Sequence, residues 1–182
     1  MSNDLFDGPT IILPEMLEAR ESRAAAQKEI LTANHDAALL SATMNIPGPV
    51  KNSPTLTKIF EEMIETIESR LFNVSVAHLY RSKKTGPEYY LAVSLTSQEL
   101  KKQMVTIEET HPYGRLMDLD VLWLEDGDIK SVSRQELGLP RRRCYVCQQD
   151  AKECGRSRKH TVAEMHQAIA TIINNGKGHC ND

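Results

Sequence analysis

Two aspartates separated by one residue stand inside an otherwise apolar stretch, residues 114–124. Such a stretch predicts a buried β-strand, and alternation along a strand places Asp118 and Asp120 on one face, with their α-carbons about 6.6 Å apart. Neighbouring carboxylates on an apolar strand repel each other and lose hydration, and Mg²⁺ is a common counter-charge because it prefers oxygen ligands. The pair therefore predicts a Mg²⁺ site. If instead the strand ends at Met117, both carboxylates face water at its rim.

Three cysteines and a histidine follow with the spacing Cys144-x2-Cys147-x6-Cys154-x5-His160. Thiolates and imidazole are ligands of tetrahedral zinc, and Cys-x-x-Cys is the commonest half-site. The remaining spacing matches no standard zinc finger, and on a helix Cys147 and Cys154 would share one face, as small buried hydrophobic residues do. We therefore expect reduced core thiols at these positions. A structural zinc site formed by the four residues is the alternative.

Residues 134–160 carry eight lysines and arginines against three acidic residues, an excess of five positive charges on a chain whose net charge is −3. A local basic cluster on a mildly acidic chain favours one phosphorylated ligand over a nucleic acid. A solvated charged face is the alternative. The candidate phosphate ligands in this part of the chain are Arg142, Arg143, Arg156 and Arg158.

A loop rich in proline, residues 46–54, leads into the best-patterned amphipathic helix of the chain. Ser53 before Pro54 predicts the N-cap of that helix. Free backbone N–H groups at a helix start attract anions and Lys51 adds a positive charge, so Lys51 and Ser53 are further candidate phosphate ligands. The spacing is not that of a Walker loop, and a rigid turn without a ligand is the alternative.

Four segments of the chain together resemble one protein family. They are Asn45-Ile-Pro-Gly-Pro-x-Lys51-x-Ser-Pro54, Gly114-Arg-Leu-x-Asp-x-Asp-Val121, Ser133-Arg-x-Glu-Leu-Gly-Leu-Pro140, and Arg143-Cys-x-x-Cys147 with the following Cys154, Arg156-Ser-Arg158 and His160. Over roughly residues 10–175 the chain resembles the holo-citrate lyase synthases, also called apo-citrate lyase phosphoribosyl-dephospho-CoA transferases. The resemblance implies transfer of the 2′-(5″-phosphoribosyl)-3′-dephospho-CoA prosthetic group from its triphosphate precursor to a serine of the citrate lyase acyl carrier (gamma) subunit, with release of pyrophosphate.

The residue types fit the reaction that the resemblance implies. A serine hydroxyl attacks the α-phosphorus while negative charge accumulates on the phosphate oxygens and on the leaving pyrophosphate. We expect Asp118 and Asp120 to hold Mg²⁺, one of them also helping to deprotonate the serine, and Arg115 to contact a phosphate through two N–H groups. The expected partners are the carrier subunit and triphosphoribosyl-dephospho-CoA. Two alternatives stay open: the same transfer to another carrier protein, such as that of malonate decarboxylase, and a non-catalytic zinc-stabilised module that binds an acidic partner.

The hydrophobic periodicity predicts the order β-α-β-β-α-β after an N-terminal helix, which is typical of an α+β, ferredoxin-like antiparallel sheet with its helices on one face. A nucleotidyltransferase-like mixed sheet is the alternative, although the Gly-Ser helix start usual in that superfamily is absent. We expect a loose arm over residues 1–13, one catalytic domain over 14–140, a Cys/Arg-rich cap with a final helix over 141–176, and a tail over 177–182.

The composition is that of an ordinary globular protein, with 182 residues of which 40% are hydrophobic and 26% charged. No apolar run approaches the roughly 20 residues needed to cross a bilayer, and the acidic N-terminus lacks the pattern of a signal peptide. We therefore expect a cytoplasmic protein with reduced cysteines and with no membrane or nucleic-acid partner.

Overall fold

Helices and strands alternate in the order that the sequence pattern predicts. The computed structural model describes residues 5–178, so that residues 1–4 of the predicted arm and residues 179–182 of the predicted tail lie outside the described residues. The elements are α1 (Leu13–Ala33), β1 (Ala38–Met44), α2 (Pro54–Leu71), β2 (Ser75–Arg81), β3 (Glu88–Val93), α3 (Ser97–Thr110), β4 (Met117–Glu125), β5 (Asp128–Ser131), α4 (Ala151–Ser157) and α5 (Val162–Lys177).

Five strands form one sheet in the order β2-β3-β1-β4-β5. Neighbouring strands are antiparallel throughout the described residues, so the α+β class is confirmed and the alternative of a mixed sheet is wrong. β5 is added at the edge through a hairpin turn at Asp126 and Gly127, whose φ angles of 52° and 83° are those a two-residue hairpin requires.

Both faces of the sheet are covered by helices. On one face α2 and α3 share a core with Leu40 and Leu119. The opposite face presents Leu39 and Tyr90, and α1 covers them with Leu31. The prediction of helices on one face therefore holds for α2 and α3 but is wrong for α1, because apolar residues on the second face also have to be buried.

The helix starts follow local capping chemistry. Ser53 caps α2 by accepting a hydrogen bond from the backbone N–H of Leu56 at 3.2 Å, and Thr96 and Thr161 cap α3 and α5 within capping boxes. The cap at Ser53 was predicted from the sequence. No helix within residues 5–178 has the length and the apolar character needed to cross a membrane.

Residues 5–12 pack against the rest of the fold, where the sequence predicts a loose arm. The hydroxyl of Ser53 donates to the carbonyl of Leu5 at 2.7 Å. The ring of Phe6 stacks on the imidazole of His166 in α5, with 3.7 Å between the ring centroids. This segment therefore connects the start of α2 with the final helix.

Candidate active site

The two aspartates lie side by side in the first half of β4. Their partners on β1 are Thr43 for Asp118 and Ser41 for Asp120, whereas Leu119 between them points into the core under α2 and α3. Both carboxylates are accessible, because Asp120 is exposed and the Asp118 side chain is 50% exposed. The prediction that they share a face is confirmed.

β4 begins at Met117, and the preceding residues 114–116 form a turn of 3-10 helix rather than strand. The turn crosses the end of α3 so closely that a β-carbon on Gly114 would lie 2.5 Å from the backbone carbonyl oxygen of Glu108. Only glycine permits this approach. The expectation that Arg115 belongs to the strand is therefore wrong, and its side chain leaves from the turn.

The aspartates differ in their electrostatic partners. The guanidinium of Arg142 lies 3.2 Å from the carboxylate of Asp118. The carboxylate of Asp120 has no hydrogen bond or salt bridge to another described residue, and partial desolvation by the surrounding protein together with the neighbouring Asp118 charge raises its pKa above the usual range. The pair therefore combines one neutralised carboxylate with one whose negative charge lacks a direct counter-charge.

The first half of β4 is an open sheet edge whose backbone groups are satisfied by side chains. β5 pairs only with the second half of β4. The amine of Lys101 in α3 donates to the carbonyl of Leu119 at 2.8 Å, and Glu108 accepts from the N–H of the same residue at 3.3 Å. Arg142 donates to the carbonyl of Met117. Three charged side chains thus fix the strand that carries the aspartates.

Two arginines next to this edge have unused hydrogen-bond donors. Nη1 of Arg115 and Nε of Arg142 are buried and have no hydrogen-bond partner among the described residues. Burial and the neighbouring Arg142 charge lower the pKa of Arg115 to about 10. Arg115 donates to the carbonyl of Arg143 and lies 4.8 Å from the ring centroid of Tyr145. Arg142 has carboxylate neighbours, because its Nε lies 3.8 Å from Glu108 and its Nη1 lies 3.2 Å from Asp118. The unused N–H groups of the two arginines favour an anionic ligand, because an anion supplies the missing hydrogen-bond acceptors.

Three cavities meet at these arginines. The first, of about 280 Å³, is lined by Asp118, Asp120, Lys101 and Arg142. The second, of about 520 Å³, is lined by Arg115 and Arg142 and by further arginines of the same region. The third, of about 580 Å³, shares Arg115 with the second and extends towards α4 and α5. The aspartates therefore line one of three cavities that share lining arginines, and each of the two larger cavities has the size of a small-molecule site.

Lys51 and Ser53, the two candidate phosphate ligands at the start of α2, lie away from the cavity of the aspartates. Ser53 is buried, and its hydroxyl is engaged with Leu5 and as the α2 cap. It lines a separate cavity of about 420 Å³. The amine of Lys51 donates to the carbonyl of Ile46 at 2.7 Å, and burial lowers the pKa of this amine. Neither residue lines a cavity next to Asp118, and their role in substrate binding stays a prediction.

The remaining predicted arginines are distributed around the cavities. Arg143 is exposed and lines the cavity of about 520 Å³, and Arg158 is exposed and lines that of about 580 Å³. Arg156 is exposed on α4 and lines none of these four cavities. Of the predicted arginines, Arg142 lines the cavity that holds the aspartates, and Arg115 lines the other two cavities.

The predicted cysteine cluster is assembled in the fold. The ligand atoms of Cys144, Cys147, Cys154 and His160 all lie within 4.8 Å of one another. The sequence predicts that Cys147 and Cys154 share one face of a helix. In the structure α4 begins only at Ala151, so Cys147 lies in the preceding turn and reaches Cys154 from there. A hydrogen bond from the backbone N–H of Gln149 lowers the pKa of Cys147 to about 6, and the contact with Cys147 raises that of Cys154 to about 11.

Comparison with known proteins places these residues in a family. The family model described as apo-citrate lyase phosphoribosyl-dephospho-CoA transferase matches residues 11–176. The chain belongs to this family. Within it, a probable apo-citrate lyase phosphoribosyl-dephospho-CoA transferase of Streptococcus pyogenes serotype M18 is 47% identical over 169 residues, which cover 92% of this chain and 88% of the relative. The apo-citrate lyase phosphoribosyl-dephospho-CoA transferase of Citrobacter koseri is 36% identical, with 90% and 93% of the two chains covered.

The region matched by the transferase family includes residues of the site that the sequence analysis missed. These residues are Lys101 and Glu108, together with Arg134, which forms salt bridges with Glu108 and Glu109. A sequence signal for two of them exists. Lys101 and Glu108 stand seven residues apart on the same stripe of α3 as the buried Met104. Charged residues on a buried stripe indicate specific partners, but the spacing does not name those partners.

Proposed function

We propose that this protein transfers the 2′-(5″-phosphoribosyl)-3′-dephospho-CoA group from its triphosphate precursor to a serine of the citrate lyase acyl carrier subunit, with release of pyrophosphate. The observation that carries the proposal is the family match over residues 11–176. The site geometry supports it independently, because phosphoryl-group chemistry needs acidic and basic groups around one phosphorus. Asp118 and Asp120 share a cavity with Arg142, and Arg142 shares a second cavity with Arg115. Each of these arginines has one buried N–H group without a hydrogen-bond acceptor among the described residues.

The arginines would bind the negative charge of the triphosphate. Nη1 of Arg115 and Nε of Arg142 point to no acceptor of the described chain, so phosphate oxygens would complete their hydrogen bonds. As the carrier serine attacks the α-phosphorus, charge grows on the equatorial oxygens and on the leaving pyrophosphate, and preorganised donors stabilise this charge. Lys101 and Glu108 hold the strand beside them and so keep the distance between arginines and aspartates fixed.

Asp120 would accept the proton from the serine hydroxyl. Asp118 is already paired with Arg142, whereas Asp120 is exposed and has no hydrogen bond or salt bridge within residues 5–178. A free carboxylate next to the phosphate site is a suitable acceptor for the proton that leaves the serine. The proton would be held at a carboxylate oxygen of Asp120 while the new oxygen–phosphorus bond forms and the bond to pyrophosphate breaks.

The residues of the pair fit a Mg²⁺ ion. Asp118 and Asp120 share a face, and desolvation together with the neighbouring Asp118 charge raises the pKa of Asp120; a divalent cation held by both carboxylates would offset this repulsion. When bound, Mg²⁺ would neutralise charge on the phosphate oxygens. Arg142 would then orient Asp118 from the other side, through the contact of 3.2 Å.

The remaining contacts of the precursor are assigned by position. Arg143 and Arg158 line the two larger cavities and would meet phosphates of the dephospho-CoA portion. Lys51, Ser53 and Arg156, which lie away from these cavities, would contact only a more distant part of the substrate or the carrier.

We propose the ferredoxin-like arrangement for the core of the sheet. The order β2-β3-β1-β4 with antiparallel neighbours supports it, and α2 and α3 share one face. Residues 14–140 would form the catalytic domain and residues 141–176 the cap. Because the acceptor is a subunit of a metabolic enzyme and no membrane-crossing helix lies within residues 5–178, a cytoplasmic location without membrane or nucleic-acid partners is part of the proposal.

The carrier specificity is tested by pyrophosphate release. The purified protein is incubated with Mg²⁺, the triphosphate precursor and either the citrate lyase carrier or the malonate decarboxylase carrier, and pyrophosphate is measured with time. We expect release only with the citrate lyase carrier. Equal or faster release with the other carrier would reassign the acceptor, and no release with either carrier, from a folded protein, would contradict the proposed reaction.

A further inference from the structure

The cysteine cluster has the size of a tetrahedral metal site. Zinc with a metal–sulfur distance of about 2.3 Å separates its ligand atoms by about 3.8 Å along each edge of the tetrahedron. The sulfur atoms of Cys147 and Cys154 are 3.4 Å apart, and all four ligand atoms lie within 4.8 Å of one another. Small side-chain adjustments would bring them to the edge lengths of a zinc tetrahedron.

The turn that carries the first two cysteines is built to present sulfur atoms. The N–H of Val146 donates to the sulfur of Cys144 at 3.4 Å, and the N–H of Gln148 donates to the carbonyl of Cys144 at 2.9 Å. Gln148 adopts a positive φ of 62°, which a non-glycine residue takes only where the turn requires it. Backbone N–H groups directed at sulfur stabilise the thiolate, which is the form that binds metal.

The histidine of the cluster has a buried nitrogen that the described protein does not use. Nε2 of His160 is inaccessible to solvent and has no hydrogen-bond partner among residues 5–178. A buried polar atom without a partner is costly, so such an atom indicates a missing ligand. The three sulfur atoms of the cluster lie within 4.8 Å of a ring nitrogen of the same imidazole.

We propose that Cys144, Cys147, Cys154 and His160 bind one structural zinc ion. Three thiolates and one imidazole complete a four-coordinate site without an open position, which is the pattern of structural rather than catalytic zinc. This replaces the expectation of reduced core thiols. The turn hydrogen bonds, the spacing of the ligand atoms and the unpartnered imidazole nitrogen each favour a metal, and they come from separate observations.

The zinc site would fix the position of Arg142, which contacts Asp118. The segment between the first and third cysteine is tied back to Arg142, whose carbonyl accepts from the N–H of Ala151 at 3.0 Å. The next residue, Arg143, forms a β-bridge with Asp150, and its carbonyl accepts a hydrogen bond from the guanidinium of Arg115. Loss of the ion would therefore release Arg142 from Asp118. This consequence rests on the proposed function, whereas zinc binding does not.

Metal analysis of the purified wild-type chain tests the site without an activity assay. The protein is expressed with zinc in the medium, purified without chelators, and its zinc and iron contents are measured together with its thiol reactivity. We expect one zinc per chain, little iron, and thiol groups at positions 144, 147 and 154 that react only after a chelator is added. A folded chain without zinc, a chain loaded with iron, or a Cys147–Cys154 disulfide in freshly purified protein would overturn the proposal.

Variants locate the ion. Cys154→Ser and His160→Ala should lower the zinc content at least tenfold, whereas Cys180→Ser, at the cysteine outside the cluster, should retain one zinc per chain. If Cys154→Ser does not fold, Co²⁺ exchanged into the wild type provides a second readout: the expected absorption is that of tetrahedral cobalt with thiolate ligands. An octahedral cobalt spectrum would contradict the site.

Limited trypsin digestion tests the coupling to the arginines. With zinc bound, cleavage after Arg142 and Arg143 should be slow, and chelation should accelerate it at least tenfold. Unchanged cleavage after zinc removal would disprove the positioning role while leaving the zinc site intact. A chain that contains zinc but transfers nothing to the carrier would contradict only the proposed function.

Discussion

The guanidinium of Arg142 lies 3.2 Å from the carboxylate of Asp118 and also donates to the carbonyl of Met117, the residue directly before that aspartate. One side chain from the C-terminal part of the chain thus holds both the backbone and the carboxylate of the strand that carries the acidic pair. Nε of the same guanidinium is buried, lies 3.8 Å from the carboxylate of Glu108 and has no hydrogen-bond acceptor among the described residues.

Replacing Arg142 should damage catalysis more than folding. In Arg142→Gln the contacts with Asp118 and the expected phosphate are lost, and we expect kcat/KM to fall by about 100- to 1,000-fold. Arg70→Gln, at an exposed arginine near the end of α2 that lines none of the cavities described, is the matched control and should retain activity. Initial rates of pyrophosphate release with the carrier measure both. Equal rates for wild type and Arg142→Gln would remove Arg142 from the site.

Replacing Asp120 should increase the stability of the protein at pH 7 and decrease its activity. The pKa of this carboxyl is raised in the folded chain, whereas in the unfolded chain it ionises at its ordinary pKa of 3.8. As pH rises through the interval between these two pKa values, the free energy of unfolding of the wild type decreases. That of Asp120→Asn does not decrease, because the amide does not ionise. We expect the two proteins to be equally stable at pH below that interval and Asp120→Asn to be the more stable at pH 7, with activity reduced at least about 100-fold.

Urea unfolding at several pH values, together with the transfer assay, checks this prediction. The control is Asp128→Asn, at an exposed position in β5, which should change neither quantity. A variant at Asp120 that is less stable than the wild type at pH 7 would show that the carboxylate forms a favourable contact in the folded chain.

Replacing Lys101 should weaken the strand edge. Lys101→Met keeps the aliphatic length but leaves the carbonyl of Leu119 without its donor, so we expect the free energy of unfolding to fall by about 1–3 kcal/mol. Lys102→Met, at the exposed neighbour in α3, should change it by no more than about 0.5 kcal/mol. Urea unfolding compares the two variants, and an equal effect of both would indicate that the buried amine does not stabilise β4.

Replacing Ser53 distinguishes a helix cap from a phosphate ligand. Ser53→Ala removes the α2 cap and the hydrogen bond to Leu5, so we expect a loss of about 1–2 kcal/mol in the free energy of unfolding. Ser69→Ala, in the last turn of the same helix, should be close to neutral. The KM for the triphosphate precursor is measured in parallel, and a raised KM without a loss of stability would support the phosphate role predicted from the sequence.

Local features of this fold were predictable from the sequence, because they depend on residues a few positions apart. The cap at Ser53, the shared face of Asp118 and Asp120 and the hairpin turn at Gly127 follow from short-range geometry. The turn at Arg115 was missed because periodicity continues through it. The reason for the turn is the approach of Gly114 to α3, which only the three-dimensional structure reveals.

The long-range part of the site was predicted in composition but not in arrangement. Charge, position and the family resemblance together suggested six basic side chains as candidate ligands, yet of these only Arg142 lines the cavity that holds the aspartates. Lys101 is missed because its partner is a backbone carbonyl in β4, and no residue type marks such a partner in the sequence. The spacing of the cysteines favoured reduced thiols over zinc, whereas the positions of their sulfur atoms favour zinc.

The intact mass of the carrier subunit tests the central claim most directly. The citrate lyase carrier is incubated with the triphosphate precursor, Mg²⁺ and either the wild-type protein or Asp118→Asn, and is then analysed by mass spectrometry. With the wild type we expect the carrier to gain the mass of one phosphoribosyl-dephospho-CoA group on a single serine, and with Asp118→Asn we expect it to stay unmodified. Full modification by Asp118→Asn, or none by the folded wild type, would contradict the account.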